Sequence, residues 1–148
     1  VYPKRGQTVT LINLDQAKAF NRVNRGFLEK ILKKLNYGPS FIQWIQTLYK
    51  GAKCNIINNG HLSETVFLER GVRQGRHLSP LLYVLVIECL ANAIRKDERI
   101  QGVPVPGTTD THKISAYTDD ATLSLLGDNS IIRAFDIITM YERASGEN

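Results

Sequence analysis

Two adjacent aspartates, Asp119 and Asp120, stand between two apolar segments that are typical of strands, residues 113–117 and 121–126. A tight turn between the strands would bring both carboxylates to the tip of a hairpin. Two unit charges ~4 Å apart repel by about 4 kcal/mol at an effective dielectric near 20, so such a cluster needs a compensating charge. Mg²⁺ supplies that charge and prefers a few carboxylates together with water and substrate phosphates.

A third carboxylate, Asp15, follows residues 9–14, whose β-branched and apolar composition predicts a buried strand. If that strand lies beside the hairpin, Asp15, Asp119 and Asp120 could hold two metal ions about 3.5–4 Å apart. The alternative is structural, because Asp is common in hairpin turns and at strand ends. These residues alone leave both interpretations open.

Helical periodicity predicts two helices after the first strand. From Asn24 onward the apolar residues fall on one face and charged residues on the other. Gly38-Pro39 should end this helix, and Ser40 should cap a second helix that Gly51 ends. The wide apolar face predicted for the second helix consists of Phe41, Ile42, Trp44, Ile45, Leu48 and Tyr49.

Two further helices are predicted later in the chain. Ser79-Pro80 should open one of them, with Ser at the N-cap, and the helix should run to about Lys96. It is apolar on nearly every side, which predicts burial within the domain. Asp128 or Ser130 should cap the final helix. The apolar face predicted for the final helix consists of Ile131, Phe135, Ile138 and Tyr141.

The remaining segments predict short strands and loops. Residues 54–57 and 65–68 look like strands, with Asn59-Gly60 as a hairpin turn. Residues 101–111 contain two Pro, two Gly and three Thr, which indicates a loop. Strands and helices mix without strict βαβ alternation, so we predict an α+β fold with an antiparallel sheet backed by helices.

Composition narrows the class of protein. The 148 residues suffice for one compact domain, and the net charge of +5 suits a polyanionic partner without requiring one. Cys54 and Cys89 have no CxxC spacing, so we expect buried free thiols in a reducing compartment. No export signal and no apolar run of about 18 residues is evident. We therefore expect an intracellular protein without a membrane partner.

Three motifs occur in order along the chain: L-D-Q-A-K-A-F-N-R-V at 14–23, G-V-R-Q-G-R-H-L-S-P-L-L at 71–82, and A-Y-T-D-D at 116–120. They resemble the first catalytic motif, the following loop-and-helix motif and the Tyr-x-Asp-Asp hairpin of reverse transcriptases. The segments F-I-Q-W-I-Q-T-L-Y and R-G-V-R-Q-G are similar to the LINE branch, whose retrotransposons lack long terminal repeats. The resemblance covers about residues 8–146, and three linked motifs are far more specific than one.

This resemblance implies the palm of an RNA-directed DNA polymerase. Asp15, Asp119 and Asp120 would then be catalytic ligands of two Mg²⁺ ions, with Mn²⁺ as an alternative. One ion would activate a primer 3′-hydroxyl and the other would stabilise the departing pyrophosphate. The implied partners are an RNA template, a DNA primer and deoxynucleoside triphosphates.

The resemblance also implies nucleotide-binding residues. Phe20 would be a steric gate under the incoming sugar that rejects a 2′-hydroxyl, and the alternative is an aromatic residue of the core. Gln74 and Gly75 would lie along the nucleotide and template. Arg73 would pair with a phosphate, or would otherwise be a solvated loop charge. Lys18 is interpreted as a surface charge.

Four residues depart from the family pattern. Thr118 stands where Ala or another small residue usually precedes the aspartates, and we expect it to be tolerated. Asn21 replaces the usual Asp, which would remove a local salt bridge but no metal ligand. Arg76 and His77 replace the common Cys-Pro, which predicts a more basic and less rigid loop. His77 has no Cys or His companion and is therefore interpreted as a loop residue.

The matching motifs cover only the palm, since the fingers motifs, the thumb and an endonuclease are largely missing. We therefore expect residues 1–148 to be a piece of a larger polyprotein that binds template-primer poorly alone. Two alternatives remain: a truncated or degenerate retrotransposon relic without activity, and a non-enzymatic nucleic-acid-binding α+β module. Sparse strand aromatics argue against the module. We favour the polymerase for the domain and the relic for the 148 residues alone.

Overall fold

The computed structural model describes residues 8–15, 19–72, 77–118 and 120–146. Helices and short antiparallel strands alternate irregularly, which fits the predicted α+β class. In chain order the elements are β1 (Val9–Asp15), α1 (Ala19–Arg22), α2 (Arg25–Lys34), α3 (Pro39–Tyr49), β2 (Lys53–Cys54), β3 (Ile57–Asn58), β4 (His61–Leu62), β5 (Val66–Phe67), α4 (Leu78–Lys96), β6 (Val103–Pro104), β7 (Thr111–His112), β8 (Ile114–Tyr117), β9 (Asp120–Leu126) and α5 (Asp128–Ser145).

The principal sheet has three strands in the order β1-β9-β8, and both pairings are antiparallel. Its inner face packs on the helices, with Leu123 and Leu125 fully buried. β1 is less buried than predicted, because its alternate residues face solvent and Leu11 is 68% exposed. One covered face explains this difference, since successive side chains of a strand point to opposite sides.

The core lies between this sheet and the long helices α4 and α5. α4 ends at Lys96 as predicted, but it is not buried on every side, since Leu81 is 64% and Val84 is 44% exposed. By length and composition alone α4 would also suit a membrane span. Its buried residues are Ser79, Leu82, Tyr83, Val86, Ile87, Leu90, Ala91 and Ile94.

The first residues of α2 and α3 follow two different kinds of N-cap. α2 begins after Asn24, whose side-chain oxygen accepts a hydrogen bond from the Phe27 amide at 3.0 Å. The predicted cap at Ser40 is wrong, because α3 begins at Pro39 and Gly38 occupies the N-cap position. Proline favours the first helical position, where its missing N–H costs nothing, and this shifts the boundary by one residue.

The predicted caps of α4 and α5 are also wrong, because tertiary contacts use the same hydroxyls. Ser79 is buried inside the first turn of α4, and its Oγ lies 3.5 Å from the Tyr49 hydroxyl. Ser130 is buried inside α5, and its Oγ accepts a hydrogen bond from the Gln101 amide at 2.9 Å. Asp128 is the first residue of α5, whose N-cap is a glycine.

Several residues on the predicted apolar helix faces are exposed. Trp44 and Leu48 of α3 are 70% and 52% exposed, and Phe135 of α5 is 47% exposed. Cys54 is exposed, contrary to the prediction, while Cys89 is half-buried and both thiols are free. Burial raises the pKa of the Cys89 thiol. The stripe that α5 buries consists of Ser130, Ala134, Ile137, Tyr141 and Ser145.

Two small hairpins complete the fold. Asn59 and Gly60 connect β3 to β4 with φ angles of 53° and 82°, which confirms the predicted turn and suits a two-residue hairpin loop. β2 and β5 pair at the base of the same hairpin. The predicted loop at 101–111 is partly wrong, since β6 within it pairs with β7.

Candidate active site

The open face of the principal sheet carries two of the predicted carboxylates. Asp15 at the end of β1 pairs directly with Asp120 at the start of β9, and both residues are exposed. Directly paired residues of antiparallel strands project from the same face, with Cβ atoms about 4.5–5.5 Å apart. The sheet therefore brings two acids that are distant in sequence within reach of one cation.

The third predicted ligand, Asp119, lies outside the described residues. Within the described ranges there is no cluster of three or more His, Cys, Asp or Glu side chains that could hold a metal ion. The described part of the site is therefore a carboxylate pair. Carboxylate oxygens are the donors that Mg²⁺ selects, so the chemistry of this pair fits that ion.

The hairpin beside the pair has an unusual backbone. Tyr117 pairs with Asp120, and Thr118 between them has a φ of 51°, in the left-handed region. A β-branched residue in this region is a clear outlier, with a cost of order 1–3 kcal/mol. Two-residue hairpins favour positive φ, which explains the conformation although not the choice of Thr. The predicted tolerance of Thr118 in catalysis stays a prediction.

Polar side chains continue along the open face next to the carboxylates. Thr122, two residues after Asp120, donates a hydrogen bond from Oγ1 to Asn13 Oδ1 at 3.0 Å. Ser115 pairs with Thr122 across the hairpin and lies on the same face. The Ser115 Oγ lies 3.0 Å from His112 Nε2. The part of the open face beside the carboxylate pair is therefore lined by polar side chains.

The described structure has one apolar cavity away from these acids and another beside Asp15. A cavity of about 560 Å³ between α2, α3 and the end of β5 is lined partly by Leu32, Ile45 and Tyr49. A smaller cavity of about 290 Å³ reaches Asp15 from the side of α4 and α5. Asp15 and Asp120 are thus both exposed on the sheet, and Asp15 also borders the smaller cavity.

Phe20 is placed in α1 with its ring partly buried. The ring centroid lies 4.9 Å from that of Tyr83 in α4, at an interplanar angle of 33°. This contact agrees with the core alternative for Phe20, while its role as a gate stays a prediction. The Phe20 carbonyl accepts a hydrogen bond from the Val72 amide at 2.8 Å, which ties α1 to the segment before α4.

The other predicted nucleotide-binding residues, Arg73, Gln74 and Gly75, lie outside the described residues, as do Lys18 and Arg76. Their predicted roles therefore stay predictions.

Sequence reasoning missed Arg25, which contacts three backbone carbonyls. Its guanidinium donates to Tyr49 at 2.9 Å and to Arg70 and Gly71 at 3.2 Å each. Its position was a signal, because a cation in the first turn of a helix opposes the helix dipole and therefore needs other partners.

Sequence reasoning also missed an ion-pair cluster at the end of α4. The Asp97 carboxylate accepts hydrogen bonds from Arg99 and Arg133, and these bonds hold its pKa far below the usual range. Lys113 Nζ donates to the backbone carbonyls of Arg95 and Asp97. The cluster joins the end of α4 to α5 and to Lys113, the residue before β8.

Comparisons with known proteins identify the family of this chain. The sequence profile described as Reverse transcriptase (RNA-dependent DNA polymerase) matches residues 2–146. A protein named "Transposon TX1 uncharacterized 149 kDa protein" from Xenopus laevis is 34% identical over 96% of this chain and 11% of its own length. A "Retrovirus-related Pol polyprotein from type-1 retrotransposable element R2" from Popillia japonica is 27% identical over 86% of this chain and 20% of its own length.

An "RNA-directed DNA polymerase from mobile element jockey" from Drosophila funebris is 30% identical over 86% of this chain and 13% of its own length. The chain thus spans a fifth or less of each of these three relatives. The profile match covers nearly all of the chain and includes both described carboxylates. The chain belongs to the reverse transcriptase family.

Proposed function

We propose that this chain is the palm of an RNA-directed DNA polymerase of a LINE-type retrotransposon. The observation that carries the proposal is the direct pairing of Asp15 with Asp120 on the open face of the sheet. Like charges directly opposite each other destabilise a sheet, so the pair needs a compensating charge in the working protein. The family match and the retrotransposon relatives support the assignment to an RNA-directed DNA polymerase.

Asp15, Asp119 and Asp120 would hold two Mg²⁺ ions, or Mn²⁺ in their place. The chemistry that two bound ions supply is activation of the primer 3′-hydroxyl and neutralisation of charge on the leaving pyrophosphate. The carboxylates of the chain fix where those ions bind, because β1 and β9 are held in one register over seven residue pairs. Placement of reacting groups by such a rigid element contributes substantially to catalysis.

Residues beside the carboxylates would hold the incoming deoxynucleoside triphosphate. Phe20 would lie under its sugar and exclude the ribonucleotide by contact with the 2′-hydroxyl. Arg73 would pair with a phosphate, and Gln74 and Gly75 would follow the nucleotide and the template. The hydrogen-bonded side chains of Asn13 and Thr122 would face the polymer substrate beside the carboxylates.

The working protein would be a longer polypeptide, since this chain spans a small part of its relatives. An RNA template and a DNA primer would be bound mainly by fingers and thumb segments of that polypeptide, with an endonuclease as a further segment. Most affinity for nucleic acid comes from phosphate contacts, which this palm would supply only in part.

Primer extension in the polypeptide that contains this chain tests the proposal. Asp120→Asn should lower extension on an RNA template by at least about 100-fold, because loss of a residue that only supports metal ligands already costs 10–100-fold. Asp110→Asn is the matched control, since Asp110 is an exposed aspartate outside the predicted ligand set. Equal extension by wild type and Asp120→Asn would refute the proposal, and an inactive wild type would favour the relic.

A further inference from the structure

We propose that Arg25 is a positioning residue that holds Phe20 at the nucleotide sugar through the backbone of residues 70–72. The inference rests on the proposed function, in which Phe20 discriminates deoxynucleotides from ribonucleotides. It assigns a role in substrate selection to a side chain that does not itself reach the substrate.

The first step is the hydrogen bonding of Arg25 to the backbone of the 70–72 segment. Nε donates to the Gly71 carbonyl and Nη2 to the Arg70 carbonyl, each at 3.2 Å, while Nη1 donates to the Tyr49 carbonyl at 2.9 Å. The guanidinium also lies 5.1 Å from the centroid of the Tyr49 ring. A planar fork with five donors can satisfy three carbonyls at once, whereas the ammonium of lysine lacks this geometry.

The second step leads from this segment to α1. The Gly71 amide donates to the Val23 carbonyl at 2.9 Å, and the Val72 amide donates to the Phe20 carbonyl at 2.8 Å. The backbones of Gly71 and Asn21 lie close together, because a Cβ on Gly71 would lie 2.8 Å from the Asn21 backbone oxygen. The two backbones therefore behave as one unit, and Gly71 at a φ of 84° is the residue that permits their contact.

The third step is the dependence of Phe20 on outside support. α1 has only four residues, and so short a helix makes too few internal hydrogen bonds to be stable alone. The 70–72 segment holds its backbone, and the Tyr83 ring holds the Phe20 ring. A steric filter is sensitive to small displacements, since misplacement by about 1 Å can cost roughly 100-fold in rate.

The test compares Arg25→Ala and Arg25→Lys with Arg133→Ala. Arg133 is a matched control, because it is also a partly buried arginine that donates a hydrogen bond, in this case to the Asp97 carboxylate. In the described structure it contacts neither α1 nor the 70–72 segment. Hydrogen exchange of the Gly71 and Val72 amides is measured in the 148-residue chain. In the polymerase polypeptide, the ratio of kcat/KM for a deoxynucleoside triphosphate to that for its ribonucleotide is measured.

Arg25→Ala removes two hydrogen bonds to this segment and should accelerate exchange at Gly71 and Val72 by at least roughly two- to tenfold, which is the effect of losing one of them. It should also lower the deoxy-to-ribo ratio, and Arg25→Lys should restore neither property. Arg133→Ala should leave both unchanged. Gly71→Ala should reproduce the Arg25→Ala effects without altering charge, since its Cβ would push the two backbones apart.

Unchanged exchange at Val72 in Arg25→Ala would overturn the inference. Equal acceleration at Val72 and at the core of α5 would overturn it as well, because Arg25 would then serve general stability. An active polypeptide in which Arg25→Ala keeps the wild-type deoxy-to-ribo ratio refutes this inference but not the proposed function. An inactive wild-type polypeptide with protected Val72 refutes the proposed function, and with it the role of Arg25 in substrate selection, but not the support that Arg25 gives to the 70–72 segment.

Discussion

Replacement of Asp120 by Asn should stabilise the metal-free protein. Asp15 and Asp120 are directly paired, and two charges about 5 Å apart repel by about 3 kcal/mol at an effective dielectric of 20 but by about 0.8 kcal/mol in bulk water. Both residues are exposed, which favours the lower figure. We therefore expect a gain of ~1 kcal/mol in the free energy of unfolding. For a chain of this size that gain raises Tm by about 2–4 °C.

A divalent ion should reverse the order of stability. Mg²⁺ at ten times its Kd would stabilise the wild type by about 1.4 kcal/mol through mass action, and the variant would lose most of this effect. Thermal unfolding followed by circular dichroism measures the repulsion between the carboxylates in EDTA and the stabilisation by the ion in Mg²⁺ or Mn²⁺. Ionic strength must be equal in all samples, because salt alone screens the repulsion.

Asp110→Asn is the control for a general effect of charge removal, and it should shift Tm by the same amount with and without the ion. Two results would refute the reasoning about the pair. One is that Asp120→Asn lowers Tm in EDTA, which would mean that Asp15 and Asp120 do not repel. The other is that Mg²⁺ raises the Tm of wild type and Asp120→Asn equally, which would mean that the ion binds elsewhere.

Three further predictions concern stability. Leu123→Ala should lower the free energy of unfolding in urea by about 2–5 kcal/mol, because Leu123 is fully buried. Leu11 lies on the opposite face and is 68% exposed, so Leu11→Ala should change that free energy by at most about 0.5 kcal/mol. Equal losses would contradict the assignment of faces. Asp97→Asn should destabilise strongly at about pH 7 and less at about pH 2, because the stabilisation from a depressed pKa is complete above the ordinary value of 3.8 and declines progressively as pH falls below it. A loss that does not depend on pH would exclude this cause. Gly102→Ala should lower the free energy of unfolding by about 1–3 kcal/mol, because the new Cβ would lie 2.5 Å from the His112 backbone oxygen. Gly38→Ala is the control and should cost less, since a Cβ there meets no atom within 4 Å. If Gly38→Ala is the more destabilising of the two in urea unfolding, steric overlap at Gly102 is excluded.

Local patterns predicted those parts of the fold that local physics determines. The strand before Asp15 has β-branched residues, and α2 starts where the Asn24 side chain can cap it. Asn59-Gly60 adopts the positive φ angles for which this pair is favoured. In each case the residue and its immediate neighbours carry enough of the energy to decide the conformation.

Predictions failed where contacts distant in sequence decide the outcome. Ser79 and Ser130 are good capping residues, but each is buried and bonded to another element of the fold. Trp44 has an apolar side chain on an apolar helix face, yet no described element covers it. Which face of a helix is buried depends on its neighbours in space, and periodicity alone does not identify them.

In the candidate site, too, residue types could be predicted from the sequence, whereas contacts between distant segments could not. Asp15 and Asp120 were named from their types and from the family resemblance, but their pairing depends on the order of strands in the sheet. Arg25 had only a weak signal, because its partners at Arg70 and Gly71 are more than forty positions away in sequence. Contacts of this kind cannot be recognised without coordinates.

Diffraction from crystals of this chain soaked in Mn²⁺ would show whether Asp15 and Asp120 bind a divalent ion together. We expect an anomalous peak within coordination distance of both carboxylates, and its loss in Asp15→Asn crystals treated identically. Carboxylates on opposite faces of the sheet, or a peak at neither of them while Mn²⁺ is bound elsewhere, would contradict this expectation.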